Sequence, residues 1–428
     1  MDPLTLLYRQ FDPEHALEAS EEGLYVNWQK ELGGDDIKQM LARNIMRSRP
    51  VAVSRLFTGH RGVGKTTELK RVKQILEGQG YFVSMLEAEQ WMELNDVTPS
   101  DIVFQIVRQL VTDLDAAGFS FAGTSFREFF KEAWDTLNQP VELKEAKIKA
   151  GPVELGATLR ADPVARGLVR ELMKGQLSNV YDLINRVILA KAKEWLKDPV
   201  KGGFDDVLVI VDELDRIPQK ILNDQGLTNH ENIFLDHAGV LRFLDCNVLY
   251  TVPIELAYSH KRQNLMMAYA SDILALPVLP VLLRNGQDSD AGLKALCQIV
   301  ERRAEGARLT TDRMFESRAL LEQLCRFSGG HLRILFLLIR SAMDRCDELP
   351  LTEAAVKRTI AEQASSLALP LGKKEKDALR QVHKTKAEVG DAPEIWYGLL
   401  RDLFVFTYTD SAGIWYDWNP LLKGVLWP

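Results

Sequence analysis

The stretch "VAVSRLFTGHRGVGKTTELKRVKQIL", residues 51 to 76, limits what this chain can fold into more than any other. Its middle, Gly59-His60-Arg61-Gly62-Val63-Gly64-Lys65-Thr66, fits the pattern GxxxxGK[ST]. Glycines permit backbone dihedrals that let successive N–H groups converge on one anion. Lys65 would set its ammonium against terminal phosphates, and the Thr66 hydroxyl suits a magnesium ligand. Upstream, "VAVSRLF" (51 to 57) reads as a short strand; downstream, Leu69, Val72, Ile75 and Leu76 recur at helical spacing. Strand, glycine loop and helix is the order a nucleoside-triphosphate pocket requires, because the helix N-terminus adds its dipole and free amides to the phosphate site. Residues 59 to 67, from Gly59 to Thr67, are therefore candidate contacts for ATP, and Thr66 for Mg2+.

A phosphate loop calls for an acid on a second strand. "DDVLVIVDELDRIP" (205 to 218) supplies it. The run Val207 to Val211 suits a strand buried on both faces of a parallel sheet, with Asp212 emerging at the carboxyl end, where α/β sheets carry ligands. Asp212 is the expected metal-shell carboxylate. Glu213, one residue on, is placed to polarise the water that attacks the terminal phosphate. Asp215 and Arg216 either cap the following turn or face a neighbouring subunit.

A chain of 428 residues, 46% of them apolar, exceeds one ordinary core and points to two or three domains. Its longest apolar stretches, "VLVIV" and "ILFLLI", fall far short of the ~20 residues of a membrane helix. With no basic start and apolar core at the N-terminus, a cytoplasmic location and no membrane partner are expected. Cys246, Cys297, Cys325 and Cys346 sit singly without CxxC spacing, the pattern of buried free thiols rather than of a zinc site or disulfide framework. A net charge of −7 gives no general attraction to nucleic acid.

With both motifs in place, the chain resembles a bacterial ATPase of the AAA+ superfamily, near its origin-recognition-type and STAND signalling branches. The resemblance implies an α/β fold: a P-loop NTPase core with a parallel sheet, a helical lid and a C-terminal winged helix. "CNVLYTVPIEL" (246 to 256) is similar to the sensor-1 strand that lies between the two motif strands, which makes Thr251 the candidate contact to the terminal phosphate or attacking water. "FSGGHLRILFLLIRSAM" (327 to 343) resembles the sensor-2 helix of the lid, which offers Arg333 as a catalytic arginine and His331 as a further nucleotide contact. Such an arginine would link hydrolysis to lid rotation, since ATP and ADP attract it differently. The resemblance also implies a homo-oligomer with an arginine supplied by the next subunit, for which Arg216, Arg262, Arg302 and Arg303 all stay open.

Along the chain, residues 1 to 50 read as a helical leader, in which Tyr25 and Val26 are adenine-side candidates by the same resemblance. Residues 51 to 287 form the expected core. An insertion at about 101 to 200 carries two long helical patterns, 101 to 137 and 164 to 197, around "AKIKAGPVELGATLRADP" (146 to 163), whose alternation about Gly151-Pro152 predicts a β-hairpin. "ALPVLPV" (275 to 281) reads as the last core strand. Residues 288 to 365 form a helical lid. Residues 366 to 428 show two helical stretches and an aromatic hairpin, the outline of a winged helix. That segment holds eight Lys or Arg against eight Asp or Glu, so it is neutral, and charge does not indicate a DNA partner. Trp396, Trp415 and Trp418 are expected in its core.

The function these features predict is an ATP-dependent molecular switch that couples nucleotide state to assembly with itself or with a separate effector protein. The regulatory ATPase of a bacterial anti-phage system is one setting the resemblance suggests. A DNA-associated loader or regulator is the alternative.

Overall fold

The computed structural model describes residues 3–119, 152–175, 181–182, 184–199, 202–390 and 392–426. Counting helices of eight residues or more, the order is α1 (Pro3–Gln10), α2 (Ile37–Arg47), β1 (Ser54–Gly59), α3 (Lys65–Glu77), β2 (Tyr81–Glu87), α4 (Pro99–Ala116), α5 (Pro152–Ala161), α6 (Pro163–Gly175), α7 (Ala190–Lys197), β3 (Asp206–Asp212), β4 (Asn247–Thr251), α8 (Arg262–Tyr269) and β5 (Leu274–Leu276). There follow α9 (Asp290–Gly306), α10 (Arg318–Phe327), α11 (Leu332–Met343), α12 (Glu353–Ala368), α13 (Lys373–Thr385), α14 (Pro393–Arg401), β6 (Val405–Asp410) and β7 (Gly413–Trp418). The main sheet runs β2-β3-β4-β1-β5. Its pairs β2·β3, β3·β4 and β4·β1 are all parallel, which is the doubly wound α/β class expected from the two strand motifs.

The described residues divide into two compact units: Met1–Met40, Gly59–Arg71 and Ala275–Pro428 in one, Leu41–Thr58 and Val72–Leu274 in the other. The second unit is built on the sheet. Val207 through Val211 are all buried, as a strand covered on both faces requires. Helix α4 packs on that sheet through Ile102, Val103, Ile106, Val107, Leu110 and Leu114, a run at helical spacing in which every side chain is buried. Its start is fixed by Pro99 and by a capping box, in which the Asp101 carboxylate accepts the Thr98 N–H at 2.8 Å.

Residues 152–161 depart from expectation. The predicted β-hairpin around Gly151-Pro152 is absent there, and the chain forms α5 instead, with α6 starting at Pro163; residues 146–151 lie outside the described residues. A short segment with alternating small residues satisfies both periods. What decides is a proline that starts a helix well and a face that meets α4. Gly156 lies so close to that helix that a Cβ there would come within 2.8 Å of Arg108 Cδ and 3.1 Å of the Trp91 ring. The helical pattern over 101–137 is α4 from Pro99 to Ala116, with 120–137 outside the described residues; the 164–197 pattern is helical throughout its described part, as α6, residues 181–182, a π-helical stretch Ile184–Leu189 and α7, with 176–180 and 183 outside the described residues.

In the first unit, α9 to α12 are the helices over the stretch expected as a lid. Phe11 just after α1 meets Phe336 of α11 edge to face at 5.6 Å. The predicted strand over 275–281 stops at Leu276. Pro277 and Pro280 have no N–H to continue a ladder, and Val278 N–H instead donates to Thr407 O at 3.0 Å. The tail forms α13, α14 and the antiparallel hairpin β6·β7, the winged-helix outline, with Trp396, Trp415 and Trp418 all buried in it. Cys246, Cys297 and Cys325 are buried, although the last two do not sit singly: their Sγ atoms are 3.9 Å apart, between α9 and α10.

Candidate functional site

Strand β1 runs directly into the glycine loop, and α3 starts at Lys65. Gly59, Gly62 and Gly64 take φ of +152°, +88° and +109°, values that L side chains rarely adopt. Space adds to the demand. A Cβ at Gly59 would lie 2.7 Å from Leu276 O, and one at Gly62 would lie 2.6 Å from Arg333 Cβ. Lys65 is buried, and its ammonium donates to Gly59 O at 2.8 Å and His60 O at 2.9 Å, so the cation is folded over the loop it follows. Val63 is buried beneath the loop and Thr66 is half-buried in the first turn of α3. The Thr67 hydroxyl, an expected nucleotide contact, accepts the Leu17 N–H at 3.1 Å.

Two histidines tie the loop to distant parts of the sequence within the same unit. Thr407 N–H, on β6, donates to His60 Nε2 at 3.0 Å, which leaves the ring proton on Nδ1. His331 Nε2 donates to Arg61 O at 2.9 Å, and its Nδ1 accepts the Ile334 N–H at 3.4 Å, which caps α11. Phe406 lies against both rings, edge-on to His60 and stacked on His331. Burial holds both imidazoles neutral: it pushes His331 down to about 3, with Arg333 and Lys65 adding to the fall, and His60 well below its ordinary value, with His331 and Lys65 adding. His331 thus positions loop and helix through both ring nitrogens. Its sequence neighbour but one, Arg333, lies on the loop as well: its N–H donates to Gly62 O at 3.2 Å, and its guanidinium reaches Glu14 Oε2 at 2.7 Å and Pro13 O at 3.3 Å.

The acids belong to the second unit. Asp212 ends β3 almost fully buried, and its Oδ1 accepts the Glu213 N–H at 2.7 Å. Glu213 takes a left-handed φ of +67°, an uncommon conformation for a non-glycine residue. That turn directs its carboxylate to Arg216, with Nη2 3.0 Å from Oε1, and to the Glu89 N–H, 3.2 Å from Oε2. Arg216 also pairs with Glu89. Strand β4 lies between β3 and β1, as expected of the third motif strand. Thr251 at its end is buried, and its hydroxyl accepts the Leu214 N–H at 3.1 Å while donating to Val211 O at 3.4 Å. It therefore braces the turn that carries Glu213.

Of the other sequence candidates, Tyr25 donates its hydroxyl to Glu68 at 3.0 Å and carries the Arg71 guanidinium over its ring at 3.5 Å, while Val26 is buried. Arg303 faces the interior, stacked on Phe336, so it is not available to a neighbouring subunit. Arg302 bonds Tyr25 O, and Arg262 bonds Ala257 O and Ile273 O. Sequence reasoning missed the partners of His60 and Arg333, because nothing local to the loop encodes residues hundreds of positions away.

The loop fits a nucleotide: its glycines have the backbone that a phosphate cradle needs, at points where a side chain would not fit. Thr66 and Asp212 are hard oxygen donors of the kind magnesium takes. Among the described residues no three His, Cys, Asp or Glu side chains converge as a metal centre.

No protein-family model and no curated protein matches the chain. In three dimensions it is similar to a Walker-type ATPase. That protein, PABY2304 of Pyrococcus abyssi, shares 12% identity at a TM-score of 0.45, with 97% of this chain and 99% of that one covered. The Aeropyrum pernix ORC2 protein, solved as ADPNP–ADP complexes, is similar at 15% identity and TM-score 0.45, with 98% and 95% covered. Cdc6p from Pyrobaculum aerophilum shares 12% identity at TM-score 0.40, with 98% and 96% covered. None of these likenesses assigns an activity to this chain. No helix among the described residues is long and apolar enough to cross a membrane.

Proposed function

We propose that this chain binds ATP with Mg2+, hydrolyses it, and acts as a molecular switch whose nucleotide state sets its assembly with copies of itself or with a partner protein. The observation that carries the reading is the loop between β1 and α3, with three left-handed glycines and the Lys65 ammonium folded over them. In this reading the N–H groups of residues 59 to 66 and Lys65 bind the terminal phosphates. Thr66 and Asp212 would hold a magnesium ion, which would offset phosphate charge. Glu213 orients the attacking water once its carboxylate leaves Arg216, Thr251 fixes the turn on which Glu213 sits, and Arg333 and His331 relay the state of the loop to α11. The location is cytoplasmic and the effector is a separate polypeptide; an anti-phage setting rests on the sequence resemblance alone. The winged-helix outline supports one second reading, a DNA-associated ATPase.

Isothermal titration tests the first step. Lys65→Ala should lose ATP binding by tenfold or more, because about 1.5–3 kcal/mol attaches to a charge-assisted contact of this kind. Glu213→Gln should keep ATP affinity and lose turnover. A Lys65→Ala variant that binds ATP as the parent does would refute the reading.

A further inference from the structure

The leader between Asp12 and Tyr25 is not free chain. Its acids sit one after another on cations of α3 and α11: Asp12 on Arg340 at 3.5 Å, Glu14 on Arg333 at 2.7 Å, Glu18 on Lys70, and Glu22 on Arg71. Two further bonds join the same elements, from Leu17 N–H to Thr67 Oγ1 and from the Tyr25 hydroxyl to Glu68. In each ion pair the cation is the more buried partner. The Arg333 side chain is 15% exposed against 58% for Glu14. A mostly covered guanidinium, held in place by its backbone bond to Gly62 and by the packing of its stem on that glycine, thus meets a carboxylate that lies largely in water. Such a carboxylate is readily exchanged for another anion, since a pair with so open a carboxylate contributes little and phosphate oxygens take a guanidinium by the same charge-assisted, two-pronged bonding.

We propose that Glu14 is an internal counter-anion for Arg333, displaced by the terminal phosphate of bound nucleotide, so that the leader next to Glu14, ahead of the Leu17 bond to Thr67, loosens as the triphosphate binds. The inference rests on the loop's being a nucleotide site. Glu14 acts here as a positioning residue: it holds the arginine on the leader side of Gly62 until a competing anion arrives. The exchange makes the leader a strap that distinguishes a triphosphate from a diphosphate, because only the former brings the terminal group.

The test uses the full chain with Glu14→Gln and, as a second variant, Glu14→Ala, each alone and with Arg333→Ala. Affinities for ATP and ADP are measured by fluorescence with labelled nucleotides, and amide exchange of residues 12–25 is followed with and without ATP. Removing the competing charge should tighten ATP by about two- to fivefold, leave ADP nearly unchanged, and raise leader exchange without nucleotide to the level the parent shows with ATP. With Arg333→Ala, Glu14→Gln should have no further effect. Equal ATP affinity in the parent and Glu14→Gln, or the same gain in the Arg333→Ala background, overturns the inference while leaving the nucleotide site intact. A parent that binds no ATP overturns the site and the inference together.

Discussion

The two imidazoles on the loop make a residue-scale prediction. His60 and His331 are both fully buried and both held neutral, chiefly by burial and further by Lys65, with Arg333 adding at His331. A histidine whose folded value is depressed leaves the unfolded chain with more bound protons at any pH between the two values. Its contribution is therefore complete above its ordinary value of 6.5 and is lost as pH falls toward the folded value, about 3 for His331. Between pH 6.5 and 5 each ring costs up to about 2 kcal/mol of stability. The parent should melt at a distinctly lower temperature at pH 5 than at 7.5. His331→Asn keeps an acceptor for the Ile334 N–H, starts from a lower midpoint and should show a smaller drop over the same range; an equal drop would mean that His331 titrates normally in the fold. The loop, Lys65 and Asp212 are legible in sequence because their chemistry lies in a few adjacent positions. His60 reads there only as one of the loop's candidate nucleotide contacts, since its Thr407 partner is set by tertiary packing.

At the scale of elements, what could be read depended on whether a segment carried one period or two. Strand β3 and helix α4 bury every residue of their apolar pattern, and both follow from the sequence alone. The hairpin expected over 146–163 is not what residues 152–161 form, because a ten-residue segment of small and apolar residues fits either period, and packing on α4 settles it as α5. The glycine pair before α11 shows how much a single position can fix. Gly330 takes φ +87°, and a Cβ there would lie 1.7 Å from Leu279 O, a backbone atom that cannot turn aside. Gly330→Ala must therefore shift the chain entering α11, or the backbone at Leu279, and should destabilise the protein by about 2–4 kcal/mol. Gly239, exposed in a short helical turn with open space around its α-carbon, is the control: alanine there should stabilise by up to about 1 kcal/mol. Urea unfolding of the two variants checks both, and equal midpoints would show that the α11 entry tolerates a side chain.

For the whole molecule, the winged-helix segment decides between the two functional readings. Its charge is balanced, and the protein carries −7 overall. Its hairpin is also engaged within its own unit: Thr407 donates its N–H to His60 and accepts from Val278, while Arg284 grips the Asp410 carboxylate at the hairpin end through two bonds of 3.0 Å. A strand bonded on these sides to the glycine loop and to the chain after β5 works as an internal support for that loop. Gripping several phosphates of a duplex would need cations that this segment does not hold in excess. Any DNA binding should then be weak and show a log–log salt slope shallower than about −2, the mark of two phosphate contacts or fewer. Glu213→Gln with ATP, by contrast, should run as a larger particle in a mass measurement than the same protein without nucleotide, and DNA should not change that mass. A slope of several units, together with an ATP-independent mass, would reverse the order of the two readings, because affinity would then come from a basic surface and the nucleotide would not govern assembly.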